Sequence, residues 1–211
     1  MNEPGICCGA LRTKSEERRA RVIDAARKLF VDNGFHATGI AQIARESGVA
    51  VGQLYRDFAS KEEIVAAIVT TDCCTFMAAD SLRLAIGDGD ERQVREWIHQ
   101  FVMPEDDIDD SRLFAEIMAE AARNARIAAI FDTVHEDVRG LMLNALAMLA
   151  PGDALAERRS VLADTILTMS LGLLHHQLVR PRFDVMPLAD AFAVMIDRDI
   201  DALRAEAAAP A

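Results

Sequence analysis

Helical spacing of apolar residues runs through nearly the whole chain, and it limits the possible fold more than any other feature. Apolar side chains recur every three or four residues in segment after segment, which is the period of one face of an α-helix. No stretch alternates apolar and polar residues well enough to predict a strand. The chain is therefore predicted to be all-α, with about nine helices.

Local signals mark the ends of the first helices. Glycine after Asn33 predicts the end of the first helix at Gly34. Ser60, followed three residues later by Glu63, has the spacing of a capping box and predicts the start of a fourth helix. The apolar period then predicts that this helix continues unbroken to Gly87.

Later boundaries rest on proline, glycine and aspartate. Pro104 is predicted to close a helix over 91–102, and Pro151 ends a seventh helix. Asp153 is predicted to cap an eighth helix, and Pro187 suits the first turn of a ninth.

Charge is distributed unevenly along the chain. The net charge of −11 at first argues against a nucleic-acid partner, which favours a basic surface. Residues 1–62, however, hold 10 Lys and Arg against 8 Asp and Glu, whereas the remainder holds 13 against 26. A mildly basic module followed by a strongly acidic one is predicted.

The sequence also indicates a compartment. The first ten residues lack the basic-then-apolar run of a secretory signal, so cytoplasmic localisation is expected. The adjacent cysteine pairs Cys7-Cys8 and Cys73-Cys74 are then expected to be reduced. Residues 161–179 are the most apolar candidate for a membrane span, but Asp164 and several polar residues there argue against one, and no membrane partner is expected.

Two short predicted helices are separated by a turn that contains Gly48, which is the layout of a helix-turn-helix. Gly48 can adopt the left-handed conformation of such a turn at little cost. Val49, Leu54 and Phe58 are predicted to be buried and to set the angle of the second short helix.

The residues left facing outward are small side chains and hydrogen-bonding groups, as a helix in a DNA major groove requires. Gln53 and Arg56 are predicted to reach base edges, because Gln pairs well with adenine and Arg with guanine. Tyr55, Thr38 and Lys61 are predicted to contact phosphates. The full predicted DNA-binding set is Thr38, Ala50, Val51, Gly52, Gln53, Tyr55, Arg56 and Lys61.

The stretch from Arg21 to Ile64 resembles the N-terminal domain of the TetR family of transcriptional regulators. The residues that carry the resemblance are Arg21 to Phe30, Asn33-Gly34-Phe35, Thr38, Ile40 to Ala44, Gly48-Val49, Gly52 to Tyr55, Phe58 and Ser60-Lys61-Glu62. The resemblance implies a helical homodimer that binds a palindromic operator and releases it on binding a small ligand. A ligand-responsive repressor is the expected function.

Two positions depart from the family pattern. The family usually has a hydroxyl residue where Gly39 stands, so one cap or phosphate contact is in question, and Thr38 is a possible substitute. The family also usually has Ser or Thr near Ala50, which has no side-chain oxygen with which to cap a helix.

The predicted domains are a flexible arm (1–14), a helix-turn-helix domain (15–62), an effector and dimerisation domain (63–206) and a frayed tail (207–211). Beyond the helix-turn-helix domain the resemblance is weaker and extends through helix count and layout. It implies a dimer through the helices at 154–179 and 187–204, with Asp164, Thr168, Gly172 and Gln177 at facing or rim positions. A central helix of a monomer is the alternative for residues 161–179.

An apolar effector pocket is expected in the acidic module, because such pockets are mostly apolar with a few polar anchors. The candidate lining residues are Phe76, Trp97, Phe101, Phe114, Met118, Phe131, His135, Met142 and Met169. Taken one by one, each is more readily explained as ordinary core.

No cofactor and no metal site are predicted. Cys73 and Cys74 have an acidic neighbour, Asp72, and no nearby cation that would activate a thiol. His175 and His176 diverge by about 100° on a helix, so one is predicted to be buried and the other exposed.

An enzyme is the competing class, together with an all-α ligand carrier. The sequence contains no nucleophile elbow, no glycine-rich phosphate loop and no CxxC motif, so a non-enzymatic protein is expected. Binding to DNA in a gel shift discriminates between the two classes.

Overall fold

The computed structural model describes residues 13–104 and 108–208. Within these ranges the chain is all-α, as predicted, with ten α-helices and two 3₁₀ turns, at Gln100–Val102 and Asp153–Leu155. The helices are α1 (Lys14–Asn33), α2 (Ile40–Ser47), α3 (Val51–Asp57), α4 (Lys61–Met77), α5 (Ala79–Asp88), α6 (Glu91–His99), α7 (Ile108–Ala121), α8 (Ala125–Leu149), α9 (Ala156–Val179) and α10 (Met186–Ala207). Most of the predicted arm, Cys7-Cys8 and the end of the predicted tail lie outside the described residues.

The chain divides into two compact units, Met1–Ile68 and Val69–Ala211. The division falls inside α4, a few residues after the boundary predicted at 62/63. We call the first the N-terminal unit and the second the C-terminal unit.

The core of the N-terminal unit is formed by α1–α3 and the first part of α4. Its largest fully buried side chains are Phe30, Ile43, Leu54, Phe58, Ile64 and Ile68. Burial of each such side chain stabilises the fold by about 1.5–3 kcal/mol relative to exposure. The apolar period of α1 thus places its inner face against the short helices.

Capping interactions fix the ends of these helices. Thr13 and Glu16 form a complete capping box at the start of α1. Gly34 ends α1 at φ 82°, as predicted. The predicted box at α4 is only half formed: Ser60 Oγ accepts from the Glu63 N–H at 3.3 Å, but the Glu63 carboxylate accepts from the Ala59 N–H at 2.7 Å instead of from Ser60.

The long fourth helix predicted from the apolar period is wrong, because the backbone breaks at Ala78. This residue has φ 41° and ψ 44°, in the left-handed region, and it separates α4 from α5. The indole N–H of Trp97 donates to the Met77 carbonyl at 2.5 Å and so occupies an acceptor that the end of α4 leaves without a helical partner.

The same segment is the one stretch of the described residues long and apolar enough to resemble a membrane span, Lys61–Asp88. The most apolar candidate predicted from the sequence is a different segment, 161–179. The break leaves helices of 17 and 10 residues, whereas a span needs about 20. Ile64 and Ile68 from α4 and Leu82 from α5 are buried in the cores of the two units.

The core of the C-terminal unit combines side chains from α5, α6, α8, α9 and α10. Leu82, Ile98, Met142, Ile166 and Ile200 are almost completely buried there. α6 and α10 are also joined by Arg95, which donates to Asp197 at 2.7 Å and to Asp201 at 2.5 Å. The helices of this unit are therefore held by packing and by ion pairs.

The entry to α9 differs from the prediction. Asp153 starts a 3₁₀ turn and does not cap α9, which has no side-chain cap. The buried Arg159 instead reaches back, donating to the carbonyls of Ala150 and Gly152 at 2.8 Å each. A cation suits this position because the C-terminal end of α8 carries partial negative charge.

Candidate nucleic-acid interface

The turn between α2 and α3 has the geometry that the sequence predicted. Gly48 adopts φ 66° and ψ 24°, a left-handed conformation that glycine tolerates without a Cβ clash. The Val49 N–H then donates to the Ala44 carbonyl at 3.0 Å. Val49, Leu54 and Phe58 are buried, as predicted, and they fix how α3 lies on the N-terminal unit.

Packing on this inner face leaves the opposite face of α3 exposed. Ala50, Val51, Gly52, Tyr55 and Arg56 are all exposed, and Gln53 is half-buried. The surface thus combines small side chains with a phenol, an amide and a guanidinium. Small residues allow the helix backbone to approach a groove closely, and the three polar groups can hydrogen-bond there.

The carboxyl end of α3 is held against α1 by Arg18 and Arg19, which both bind Asp57; we call this arrangement the clamp. Arg18 donates to both carboxylate oxygens of Asp57, at 2.5 and 2.8 Å, across 39 residues of sequence. Arg19 donates to the backbone carbonyl of Asp57, and its guanidinium lies 4.1 Å from the centre of the Phe58 ring. The hydrogen bonds from Arg18 hold the pKa of the Asp57 carboxyl below its ordinary value, against the opposing effect of burial.

Sequence reasoning missed this clamp. No periodic or motif signal connects Arg18 with Asp57, because the pairing depends on how α1 and α3 pack. The side chain of Asp57 is only 8% exposed, so the carboxylate belongs to the support of α3 and not to its outer face.

Two polar side chains on the outer face of α3 contact each other. Arg56 Nη2 donates to Gln53 Oε1 at 2.5 Å. The two residues predicted to read bases are therefore joined to each other.

Lys61, a predicted phosphate contact, is attached to the connection between α1 and α2. Its ammonium donates to the carbonyls of Phe35 at 2.5 Å and Thr38 at 3.0 Å. It also lies 3.9 Å from the centre of the Phe35 ring, in cation–π geometry. Lys61 thus positions a loop as well as placing a positive charge near the start of α4.

Thr38 lies inside the N-terminal unit, contrary to its predicted place at a phosphate. Its side chain is 1% exposed, and its hydroxyl donates toward the carbonyls of Leu29 at 3.0 Å and Gly34 at 2.9 Å. The hydroxyl thus links the end of α1 to the loop. This buried side chain is not part of the exposed candidate interface, and it does not cap α2 in place of Gly39.

The two departures from the family pattern have different structural outcomes. At α2 the Gly39 N–H donates to Gln42 Oε1 at 2.7 Å, so part of the cap is supplied from within the helix. At α3 Ala50 stands at the N-cap without a side-chain hydrogen bond, as its chemistry predicted.

In the C-terminal unit, α9 and α10 expose apolar side chains that a single chain leaves uncovered. Val161 is 62% exposed and Val194 is 69% exposed. Three of the residues predicted at facing or rim positions, Asp164, Thr168 and Gly172, are also exposed, whereas Gln177 is half-buried. Asp164 is paired with Arg139 of α8, at 2.6 Å, which lowers the pKa of its carboxyl.

The predicted pocket residues divide among several environments. Trp97, Phe101 and Met142 are buried in the main core, with Met169 packed against it. Phe114 and Phe131 form a separate edge-to-face pair at 5.5 Å. Met118 and His135 are exposed.

One part of the predicted set forms a cluster with an open edge. Phe101 contacts both Phe76 and Trp97 edge to face, with ring centres 5.0 Å apart in each pair. Trp97 and Phe101 are buried, but Phe76 is 37% exposed. The cluster therefore has aromatic surface available to an apolar molecule.

The C-terminal unit also has two surface depressions. One, of about 440 Å³, is lined by Arg180, Pro181, Arg182 and Phe183. The other, of about 350 Å³, lies between α5 and α6 and includes Trp97 in its lining. Neither gathers the predicted pocket residues into one cavity.

The remaining candidates are the residues considered for a metal or redox role: His175, His176 and Cys73. His175 is exposed as predicted for one of the two histidines, whereas His176 is only half-buried and stacks on Phe183 with ring centres 5.0 Å apart. Cys73 is half-buried on α4. Within residues 13–104 and 108–208, no three His, Cys, Asp or Glu side chains are grouped so as to hold a metal ion.

Comparison with known proteins also identifies the N-terminal unit as a helix-turn-helix domain of transcriptional regulators. Residues 22–68 match the family model described as bacterial regulatory proteins, tetR family. The HTH-type transcriptional regulator UidR of Escherichia coli K12 is 30% identical over 134 residues, which cover 59% of this chain and 62% of UidR. The chain thus aligns with less than two thirds of that relative's length.

Solved structures resemble the chain over nearly all of its length. Salmonella enterica GusR has a TM-score of 0.67 at 23% identity and covers 90% of this chain and 98% of GusR. SmeT, in its complex with triclosan, has a TM-score of 0.69 at 20% identity and covers 88% of this chain and 91% of SmeT. At these identities the likeness concerns the fold.

The helix bounds, the turn at Gly48 and the exposed face of α3 identify an all-helical protein with an N-terminal helix-turn-helix. The family model identifies the family to which this helix-turn-helix belongs. Residues 22–68 are accordingly a helix-turn-helix domain of the tetR family of bacterial regulatory proteins.

Proposed function

We propose that this protein binds a palindromic DNA operator as a homodimer, represses transcription there, and is released by a small apolar effector. The observation that carries the proposal is the outer face of α3, where Tyr55 and Arg56 are exposed beside Gln53 on a firmly packed helix. A dimer presents two such helices, which enter successive major grooves about 34–36 Å apart. A DNA target implies residence in the cytoplasm.

Three sets of residues have different roles at the operator. Gln53 and Arg56 contact base edges, and Ala50, Val51 and Gly52 allow close approach to the groove. Tyr55 and Lys61 contact phosphates, which set the register of the protein on DNA without reading sequence.

A gel shift at low salt with DNA from the protein's own promoter region tests the proposal. Arg56→Ala is expected to weaken the shift strongly. Arg92→Ala is the matched control, because Arg92 is an exposed arginine of α6 paired with Glu96. Equal effects of the two substitutions, or no binding to any DNA by the unaltered protein, would exclude α3 as the DNA-contacting element.

Homodimerisation is proposed through the exposed apolar face of α9 and α10. The exposed residues Val161, Thr168, Gly172 and Val179 fall within a narrow arc of α9 at about 100° per residue. An exposed apolar face of this kind marks an interaction surface in a folded protein. The TetR-family resemblance supports a second copy of the chain as the partner on this face.

The effector is proposed to bind at the aromatic cluster of Phe76, Trp97 and Phe101. Its open edge offers apolar surface, and the related fold of SmeT binds triclosan. The chain has one tryptophan, so fluorescence reports on this cluster directly. Triclosan is a suitable first probe.

Quenching of Trp97 fluorescence by a ligand that also weakens the gel shift is the expected result. A coupling of about 1–3 kcal/mol between the two sites changes operator affinity roughly 5–150-fold. A ligand that weakens DNA binding without perturbing Trp97 would place the effector elsewhere.

A further inference from the structure

We infer that the turn between α9 and α10 is a binding site for a small aromatic carboxylate, formed by Arg180, Arg182 and Phe183. The site lies wholly in the C-terminal unit, so the inference goes beyond the proposed DNA binding and does not depend on it. It shares no residue with the aromatic cluster proposed for the effector.

Arg180 and Arg182 lack the acidic partners that most arginines of this acidic unit have. The unit contains 13 arginines, and nine of them pair with a carboxylate. A tenth, Arg159, donates to two backbone carbonyls. Among the residues that the structure describes, Arg126, Arg180 and Arg182 have neither kind of partner. Two of these three lie two residues apart and line one depression, so their charges are available to an anion.

A hydrogen-bonded turn holds these residues together at the end of α9. The Phe183 N–H donates to the Arg180 carbonyl at 2.8 Å, which closes a four-residue β-turn. Pro181 occupies the second position of this turn, where its fixed φ is favoured. The turn is therefore formed before any ligand arrives, which lowers the entropy cost of binding.

The Phe183 ring supplies an apolar surface beside the two cations. The ring is 37% exposed. His176 of α9 stacks on it with ring centres 5.0 Å apart. The guanidinium carbon of Arg180 lies 4.3 Å from the ring centre, in cation–π geometry. The turn thus joins a supported aromatic ring to positive charge.

The chemistry of the depression selects the class of ligand. Its volume of about 440 Å³ is large enough for a small organic molecule. A guanidinium presents two parallel N–H groups that match the two oxygens of a carboxylate. A flat ring can pack against Phe183 in an offset or edge-to-face arrangement. An aromatic carboxylate uses both features, whereas a neutral aromatic molecule or inorganic phosphate uses only one.

Isothermal titration calorimetry of the full-length protein tests the inference with cinnamate as the probe. Cinnamamide keeps the ring without the charge, and inorganic phosphate keeps the charge without the ring. Both are expected to bind at least about tenfold more weakly than cinnamate, because each loses one kind of contact. Phe183→Leu is expected to weaken cinnamate binding and to leave phosphate binding unchanged.

Arg182→Gln is expected to lower the affinity for cinnamate by about tenfold, since it removes a charged hydrogen-bond donor. Arg180→Gln is expected to have a similar effect. Arg126→Gln is the matched control, because Arg126 is the third exposed arginine of the unit without an acidic partner and lies on α8. It is expected to change the affinity by less than about twofold, since salt screens a distant surface charge.

Several outcomes overturn the inference and leave the proposed DNA binding untouched. They include no cinnamate binding, equal affinities for cinnamate and phosphate, and equal losses in Arg126→Gln and Arg182→Gln. Unchanged cinnamate affinity in Arg180→Gln with a lowered melting temperature would assign that cation to the negative end of α9 instead. A lower mass of Arg182→Gln by light scattering would assign the guanidinium to contact with a second copy of the chain.

Discussion

Trp97 donates its indole N–H to the backbone carbonyl of Met77 at 2.5 Å, directly before the left-handed residue Ala78. The buried indole thus satisfies an acceptor at the point where α4 ends. Hydrogen bonding at a helix end lowers the cost of the break, since an orphaned buried carbonyl is destabilising. The turn is therefore part of the packed core and not a frayed end.

Ala78→Gly is expected to leave the free energy of unfolding unchanged or to raise it by up to about 1 kcal/mol. The left-handed conformation costs an L-residue about 1–2 kcal/mol, which glycine avoids, although glycine loses more backbone entropy on folding. Ala66→Gly, in the regular part of α4, is the control and is expected to lower stability by about 1 kcal/mol. Urea unfolding measures both; an equal loss in the two variants would show that Ala78 is unstrained.

Lys61→Ala is expected to weaken binding to all DNA sequences by the same factor. Loss of one phosphate contact reduces the slope of log affinity against log salt concentration by about one. A sequence-selective effect would contradict the phosphate assignment. An unchanged slope with a lowered melting temperature would show that Lys61 acts only through its bonds to the Phe35 and Thr38 carbonyls.

Asp57→Asn is expected to destabilise the protein at neutral pH more than at acidic pH. The Arg18 hydrogen bonds lower the pKa of Asp57 in the folded state. A lowered carboxyl pKa contributes stability above the unfolded value of about 3.9 and loses it as pH falls through the folded value. The difference between variant and unaltered protein, measured by urea unfolding, therefore shrinks as pH falls below about 4.

Glu46→Gln is the control for that pH series. Lys28 also lowers the pKa of Glu46, but the two side chains are 64% and 40% exposed. Solvent screens such a pair, so a smaller pH trend is expected. A difference for Asp57→Asn that stays constant from pH 7 to pH 3 would contradict a contribution from the ionised pair.

Val194→Asp is expected to convert the proposed dimer into a monomer of 23.1 kDa, because it places a charge in the apolar face of α10. Leu84→Asp is the matched control: Leu84 is 68% exposed on α5, outside the proposed interface. Light scattering after size exclusion measures the mass. A mass unaffected by Val194→Asp would remove α10 from the interface.

The sequence predicted local features well where one residue type determines the geometry. Gly48 had to be in a turn because few other residues adopt its backbone conformation, and Leu54 and Phe58 had to be buried because they share one face of a short helix. These features depend on neighbours within a few positions.

Features that depend on distant parts of the chain could not be predicted in this way. The apolar period continues through Ala78, and only the packing around Trp97 shows that the helix stops there. Thr38 has the chemistry of a phosphate ligand, but the carbonyls of Leu29 and Gly34 surround its hydroxyl. Likewise, the sequence identified Phe101 and Met142 as candidate pocket residues without indicating whether they line a pocket or fill a core, and both lie in the core.

If the exposed valines Val161 and Val194 pair two chains as proposed, the level of expression of this protein becomes an input to regulation. On the proposed pairing, below the dissociation constant of the dimer the concentration of paired chains rises with the square of the total. A modest change in synthesis rate then produces a disproportionate change in operator occupancy. Silencing of the target gene would therefore switch over a narrow range of expression, even at constant effector concentration.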